Sequence, residues 1–161
     1  MQEKGYYLKI DNLYNRALLL VSDLFQDKKD KAGFPYINHL IRVSVKLDTE
    51  ELRIAGLLHD VLEDTSITKD DLRELGFSNR VISIIEGVTN KVGENYNDKI
   101  KRIIDNGDMD VIKLKYSDMS DNANKKRLAK LSIITRNRLI NKYKDNLELL
   151  KKALEGKNEN S

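Results

Sequence analysis

Apolar residues recur at helical spacing along most of the chain, and this pattern restricts the fold more than any other feature. Near the start they fall at positions 13, 17, 20, 21, 24 and 25, which predicts an amphipathic helix from about Tyr7 to residue 26. One proline and eight glycines among 161 residues leave few points where a helix would have to break. We therefore predict an all-α fold, a compact bundle of several helices.

The chain has the length of one ordinary domain, and we find neither an internal repeat nor a linker. A chain of 161 residues buries roughly two-thirds of its unfolded surface, so it can form a core without disulfides. We expect a single domain over residues 1–156. Its last long helix should cover residues 131–154 and end at Gly156, and residues 157–161 should form a disordered polar tail.

Composition excludes several classes of protein. The absence of cysteine excludes disulfides, thiolate metal sites and a cysteine nucleophile. A net charge of +3 is too small to indicate nucleic-acid binding. The longest apolar run, positions 17–21, is far shorter than the roughly 20 residues that span a bilayer. No apolar signal region follows the first residues, so we expect a cytoplasmic protein; a homo-oligomer remains open.

The second of only two histidines opens an acidic cluster. His59 is followed by Asp60, Glu63 and Asp64 in a stretch that predicts one continuous helix. At about 100° per residue, these four side chains share one sector of the helix wall. Flanking apolar residues indicate that the helix is mostly buried, where uncompensated charges are costly. A divalent cation would neutralise the carboxylates and bind a neutral imidazole, so the pattern predicts a metal site.

Further ligands for this site must come from other helices. His39 and Asp118 are the candidates, and together with His59 and Asp60 they form a mixed nitrogen and oxygen set. Such a set suits Mn, Fe, Co, Zn or Ni better than Ca or Mg. Arg42 follows His39 by one helical turn, and its guanidinium group could bind a phosphate.

Three segments carry a resemblance to a known family. Residues 33–39, 57–65 and 113–122 resemble the three signatures of the HD-domain metal-dependent phosphohydrolases. They are most similar to the hydrolase domain of the RelA/SpoT homologues, which removes the 3′-pyrophosphate from (p)ppGpp. The resemblance covers about residues 13–128. The synthetase and regulatory domains of the large enzymes do not fit in 161 residues, so we expect the small alarmone hydrolase type.

The resemblance implies a role for each matching residue. It implies four ligands of one divalent metal, usually Mn²⁺, and these are His39, His59, Asp60 and Asp118. The pair Glu63 and Asp64 corresponds to the acidic residues that position or activate the attacking water. Lys31 matches a basic position that contacts phosphate, and Asn122 matches an asparagine that faces the substrate. The implied substrate is therefore a nucleotide, with (p)ppGpp as the leading candidate.

Three positions differ from the alarmone hydrolases and leave other functions open. Phe25 and Asp121 each stand where those enzymes carry a histidine, and Asp30 stands where they carry an arginine. One alternative is an HD-type nucleotide phosphatase or 5′-nucleotidase that releases orthophosphate. Another is a non-catalytic module that senses nucleotides, which would predict a degraded site rather than an intact one.

Each of these residues also has a plainer explanation. A lone helical histidine is most often a core or surface residue. The acidic pair could be a solvated helix end, although its charge would oppose the helix dipole there. Asn122 could cap its helix, Lys31 belongs to a charged run typical of a solvated loop, and Arg42 could pair with a surface carboxylate. Residues 125–127 predict a solvated helix start rather than a nucleic-acid contact.

Overall fold

The computed structural model describes residues 2–159, except for the side chains of Lys125, Lys126 and residues 157–159. This part of the chain forms eleven helices: α1 (Lys4–Leu8), α2 (Leu13–Leu24), α3 (Ile37–Val45), α4 (Glu50–Leu58), α5 (Val61–Asp64), α6 (Lys69–Glu74), α7 (Asn79–Val88), α8 (Tyr96–Asn106), α9 (Met109–Asn122), α10 (Lys125–Leu128) and α11 (Ile133–Glu159). Among the described residues, the one extended pairing is an isolated bridge between Lys29 and Pro35. The prediction of an all-α fold is confirmed.

Helix α4 lies at the centre of the bundle and packs against α2, α3, α7 and α9. Its residues 54–58 are all buried. Gly56 makes the contact with α3 close, because a Cβ atom at this position would lie 3.0 Å from Ser44 Cα. Helix α9 packs against α3, α4, α7, α8 and α11. Helices α3, α4 and α9 therefore pack against one another in the interior.

Local capping chemistry explains where several helices start and stop. Thr49 and Ser78 each accept a hydrogen bond from a first-turn amide of the helix that follows. Thr68 and Asp71 form a reciprocal capping box at the start of α6. Gly76 and Gly107 follow helix ends with φ of +88° and +69°, which glycine adopts without a steric penalty.

Two predicted helices are interrupted in the structure. The helix expected to start near Tyr7 and continue to about residue 26 is divided into α1 and α2, because the Asn12 side chain caps a new helix by accepting from Asn15 N at 2.9 Å. The helix expected to run from residue 50 through residue 64 is broken at His59 and Asp60. The His59 ring donates from Nδ1 to the Gly56 carbonyl at 2.6 Å, and in a continuous helix this carbonyl would accept from the amide of Asp60.

The last helix is longer than expected. Helix α11 continues to Glu159, so the predicted helix end at Gly156 is wrong, and the disorder of the tail stays a prediction. Gly156 is not among the glycines with positive φ, and an isolated glycine inside a helix costs only about 1 kcal/mol. Residues 160 and 161 of the predicted tail lie outside the described residues. Over residues 2–159, no helix combines the length and apolar character needed to span a bilayer.

Candidate metal centre and adjoining cavity

The two histidines of the chain face each other in the interior. His39 of α3 and His59, directly after α4, are 1% and 3% exposed, and their ring centroids are 5.5 Å apart. Asp118 Oδ1, from α9, lies 3.0 Å from His39 Nε2 and 3.2 Å from His59 Nε2. Three helices thus bring two imidazoles and one carboxylate to a common point.

The other ring nitrogen of each histidine has its own partner. His59 Nδ1 lies 2.6 Å from the Gly56 carbonyl oxygen, which can only accept, so Nδ1 carries the proton. His39 Nδ1 lies 2.6 Å from Asp121 Oδ2. Metal-binding histidines commonly donate their second ring N–H to a carbonyl or carboxylate in this way. The arrangement leaves both Nε2 atoms directed at the common point.

Asp60 completes a set of donors that could hold a metal. Its Oδ2 lies 3.2 Å from His59 Nε2 and accepts a hydrogen bond from the Tyr36 hydroxyl. Ligand atoms of His39, His59 and Asp60 all lie within 4.8 Å of one another. With Asp118, the donors are two imidazole nitrogens and two carboxylates, a chemistry suited to a divalent transition metal.

The charges at this point favour a cation. Burial disfavours the protonated form of His59, but the carboxylates of Asp60 and Asp118 outweigh it and raise the pKa of His59 to about 9. The pKa of His39 is raised too, since hydrogen bonds to Asp118 and Asp121 exceed the effect of its burial. The pKa of Asp118 lies well below its usual range despite its burial, because Lys115 and His59 stabilise its charge. The site therefore carries protons that a metal ion could replace.

A buried lysine balances Asp118 from the opposite side. Lys115 Nζ donates to Asp118 Oδ2 at 2.9 Å, and the lysine is 6% exposed. Burial alone would lower the pKa of Lys115, but the charge of Asp118 raises it above its usual range. Lys115 lies on α9, one turn before Asp118.

The acidic pair on α5 lies one turn beyond Asp60, outside the cluster of ligand atoms. Glu63 Oε1 accepts from the amide of Asn90 at 2.5 Å and from Lys99 Nζ at 3.3 Å. Asp64 Oδ2 accepts from Lys28 Nζ at 2.7 Å. Both side chains are partly exposed, 22% for Glu63 and 34% for Asp64. Each carboxylate is held in place by a cation yet keeps contact with solvent.

A cavity of about 300 Å³ opens beside the ligand cluster. Its walls combine basic, polar and apolar side chains, including Lys28, Lys31, Tyr36, Asn122, Arg127, Leu128, Leu131, Leu139 and Tyr143. Asn122 Nδ2 also donates to Asp118 Oδ1 at 3.3 Å. Two lining residues, Asn122 and Tyr36, thus contact the candidate ligands Asp118 and Asp60, and the charged wall of the cavity is mainly positive.

Of the three residues expected to contact substrate, two line the cavity and one does not. Lys31 and Asn122 both line the cavity. Arg42 has another partner: its Nε and Nη2 atoms donate to the carboxylate of Asp121 at 2.7 and 3.2 Å. The edge formed by Nε and Nη2 is thus paired with Asp121, and a phosphate contact of Arg42 stays a prediction.

Several site residues were missed or misread in the sequence. Asp30 Oδ1 accepts from the amides of Ala32 and Phe34 at 2.9 and 3.0 Å, and its Oδ2 accepts from Arg127 at 2.9 Å. Arg127, expected at a solvated helix start, also donates to Asp121 Oδ2 at 2.7 Å. The sequence held one local signal, on α9. Lys115 and Asp121 stand three residues before and three residues after Asp118, so all three lie on one side of the helix.

Comparison with known proteins agrees with this geometry. A family described as "HD domain" matches residues 17–113. A protein of Aquifex aeolicus named guanosine-3′,5′-bis(diphosphate) 3′-pyrophosphohydrolase is 39% identical over 120 residues, which is 66% of this chain and 17% of that protein. The bifunctional (p)ppGpp synthase/hydrolase SpoT of Escherichia coli is 38% identical over 90 residues, 52% of this chain and 12% of that protein. The chain thus spans less than a fifth of these relatives.

A solved structure has the same fold. It is described as a metazoan orthologue of SpoT that hydrolyses ppGpp, and it matches with a TM-score of 0.67 at 24% identity. The match covers 91% of this chain and 94% of the other. The helical bundle that carries the two histidines and two aspartates is therefore a known architecture, and the chain belongs to the HD-domain family.

Proposed function

We propose that this protein is a metal-dependent phosphohydrolase that removes the 3′-pyrophosphate of (p)ppGpp and releases pyrophosphate. One observation carries the proposal: the imidazole and carboxylate donors of His39, His59, Asp60 and Asp118 converge beside a cavity with a basic wall. The substrate is taken from the Aquifex aeolicus relative, which is named for this reaction and is 39% identical over 120 residues.

We propose Mn²⁺ as the resident ion, with Fe, Co, Zn or Ni as the other ions that this donor set suits. Such an ion lowers the pKa of a bound water and polarises a phosphoryl oxygen. The chain's own contribution is to hold both imidazoles with Nε2 turned inward, through the Nδ1 contacts of His39 with Asp121 and of His59 with Gly56. Neutral imidazoles and ionised carboxylates are the ligand forms required.

Glu63 and Asp64 are the proposed groups that orient the attacking water and accept its proton. Lys99 and the amide of Asn90 fix the Glu63 carboxylate, and Lys28 fixes that of Asp64. Partial exposure leaves both carboxylates accessible to water. A carboxylate held in this way can act as a general base with little loss of orientation.

The proposed substrate contacts line the cavity. Lys31 would bind phosphate oxygens, and the Asn122 side chain would face the nucleotide near Asp118. The apolar side chains Leu128, Leu131, Leu139 and Tyr143 would pack against the nucleoside. A volume of about 300 Å³ is at the small end of the usual range of ligand pockets.

Asp30 supports a second candidate, a nucleotide phosphatase or 5′-nucleotidase that releases orthophosphate. Both of its oxygens are already engaged, by two loop amides and by Arg127. The cavity therefore has an ion pair where the alarmone hydrolases are expected to have a free arginine. The third possibility, a nucleotide-sensing module without activity, is disfavoured by the complete set of donors.

A product assay separates these functions. Metal-stripped protein would be reloaded with Mn²⁺ and offered ppGpp, pppGpp, nucleoside monophosphates and nucleoside triphosphates side by side. We expect pyrophosphate from ppGpp only when metal is present. Orthophosphate from another nucleotide would move the substrate to the second candidate, and no product with Mn²⁺ bound would favour the sensing module.

Matched variants connect the activity to the site. Asp60→Ala removes a proposed ligand and should abolish metal binding and activity while the helical content stays unchanged. Asp105→Ala removes an exposed carboxylate that pairs with Lys101 on α8 and should leave both unchanged. Activity retained by Asp60→Ala would contradict the site assignment.

A further inference from the structure

Asp121 is the most heavily paired carboxylate of the site, yet it is not one of the proposed ligands. It is 1% exposed, and it accepts from His39 Nδ1 at 2.6 Å. Arg42 donates to it from Nε and Nη2 at 2.7 and 3.2 Å, and Arg127 donates from Nη1 at 2.7 Å. A single buried side chain thus joins α3, α9 and α10.

Charge explains why so many partners are present. A buried carboxylate is stable only when its lone pairs are satisfied by hydrogen-bond donors. Three hydrogen bonds from the permanently charged guanidinium groups of Arg42 and Arg127 satisfy the carboxylate in its ionised form. The carboxylate is therefore ionised, and it can accept the Nδ1–H of His39 even when the imidazole is neutral.

We propose that Asp121 is a positioning residue for the metal ligand His39. Its carboxylate accepts the Nδ1 proton, fixes the plane of the ring, and thereby directs Nε2 toward Asp118 and His59. This inference rests on the metal site proposed above. It also explains the Asp at this position, where the alarmone hydrolases are expected to carry a histidine.

The two histidines differ in how they are oriented. His59 donates its Nδ1 proton to the neutral carbonyl of Gly56, within its own helical turn. His39 donates to an ionised side chain from another helix, and a carboxylate partner makes an imidazole a stronger ligand. Arg42 and Arg127 both donate to that carboxylate, so the orientation of His39 depends on tertiary contacts that His59 does not need.

The first test is the affinity for Mn²⁺, measured by calorimetry on metal-free protein. Asp121→Ala removes the acceptor and should weaken binding by about 10- to 100-fold. Asp121→Asn keeps an acceptor oxygen without the charge and should lose less. Ser117→Ala is the matched control, because it removes a buried hydrogen bond from α9 to the Val43 carbonyl of α3 without contacting His39. Its affinity should equal that of the wild type.

The second test reads the imidazoles directly. The chain has two histidines, so protein labelled with ¹⁵N-histidine and loaded with Zn²⁺ gives two sets of ring signals. In Asp121→Asn and Asp121→Ala, the Nδ1–H proton of His39 should move upfield as its short hydrogen bond weakens or is lost. The His59 signals should not move, since its partner is unchanged, and a general structural disturbance would move both.

The outcomes are distinguishable. Wild-type binding of Mn²⁺ together with unchanged affinity and unchanged His39 signals in the Asp121 variants would overturn this inference alone. Failure of the wild type to bind Mn²⁺ would overturn the metal site and this inference with it. If Asp121→Ala fails to fold, as judged by circular dichroism, Asp121→Asn decides the question by the same two measurements.

Discussion

Arg127 and Asp30 are 97 residues apart in the sequence, and their side chains form a hydrogen bond of 2.9 Å. The pair joins helix α10 to the loop that precedes α3, and both residues line the cavity. Arg127 uses a second nitrogen to reach Asp121 at 2.7 Å. A planar guanidinium group can serve two carboxylates at once, whereas an ammonium group on a flexible chain does so poorly.

Arg127→Lys should therefore loosen the wall of the cavity. We expect a loss of about 2 kcal/mol in the free energy of unfolding, the scale of hydrogen bonds to charged groups, and weaker binding of ppGpp. Urea unfolding and calorimetric titration of the nucleotide would measure the two effects. Arg138→Lys changes an exposed arginine on α11 and should be neutral in both. Equal behaviour of the two variants would contradict the role of the Arg127 pair.

Lys115→Met should destabilise the metal-free protein strongly. It leaves the buried carboxylate of Asp118 without its lysine partner, and breaking a buried pair from one side costs about 3–5 kcal/mol. Saturation with Mn²⁺ should recover part of the loss, because the ion supplies the missing positive charge. Urea unfolding with and without Mn²⁺ would measure this. Lys113 lies on the same helix as Lys115 and forms a partly exposed pair with Asp48. Lys113→Met should cost about 1 kcal/mol or less.

The affinity for metal should rise with pH. The pKa of His59 in the metal-free protein is raised from 6.5 to about 9, and a metal ion binds only the neutral ring. Affinity should increase from pH 6 toward pH 9 and then level off, with protons released on binding at pH 7. Calorimetry in buffers of different ionisation enthalpy would count those protons. Affinity independent of pH over this range would contradict the prediction.

The stability of the metal-free protein should change in the opposite direction. The pKa of His59 is higher in the folded chain than in the unfolded chain, so its protonation stabilises the fold. This contribution is fully present below pH 6.5, the unfolded pKa, and is lost as the pH rises through about 9. The melting temperature of the metal-free protein should therefore decrease as the pH rises from 6.5 to about 9. The melting temperature of the Mn²⁺-loaded protein should not decrease over this range. Thermal unfolding followed by circular dichroism at pH 6, 7.5 and 9 would check both curves.

Gly56→Ala should disturb the metal site through packing. The added methyl group would lie 3.0 Å from Ser44 Cα, a backbone atom that cannot move without shifting α3 and His39. We expect a loss of about 1–3 kcal/mol in stability together with weaker Mn²⁺ binding. Gly87→Ala crowds Val111 between α7 and α9 instead, and it should cost stability without changing metal affinity. Unchanged affinity in Gly56→Ala would contradict the expected shift of His39.

Much of the fold could be predicted from local chemistry. Helical spacing of apolar residues gave the fold class, and the hydroxyl side chains of Thr49, Thr68 and Ser78 mark the starts of three helices. Such caps act on amides within one turn, so they are visible in the sequence. The breaks at Asn12 and at His59 were missed. At both positions a side chain replaces a helical backbone hydrogen bond, while the apolar periodicity is equally compatible with an unbroken helix.

The candidate ligands also fall into two groups, those that the local sequence indicates and those that it does not. His59 and Asp60 are adjacent in the sequence, and an acidic run beside a histidine in an apolar helix already indicates a metal. His39 and Asp118 could be named from residue types and from the family resemblance, and the structure brings both Nε2 atoms to Asp118 Oδ1. The cavity beside them, formed by the loop before α3 and by α9, α10 and α11, has no local signature.

The sequence by itself determined the helical class and indicated the adjacent candidate ligands His59 and Asp60, because both depend on spacings of four residues or fewer. Only the tertiary structure decided which charged side chains are buried and with whom they pair. In the sequence, Arg42 is a candidate phosphate contact and Arg127 belongs to a solvated helix start, yet both pair with the buried carboxylate of Asp121. The physical reason is that water can solvate a charged helical side chain as well as a protein partner can. The charge needs a protein partner only where packing excludes the water.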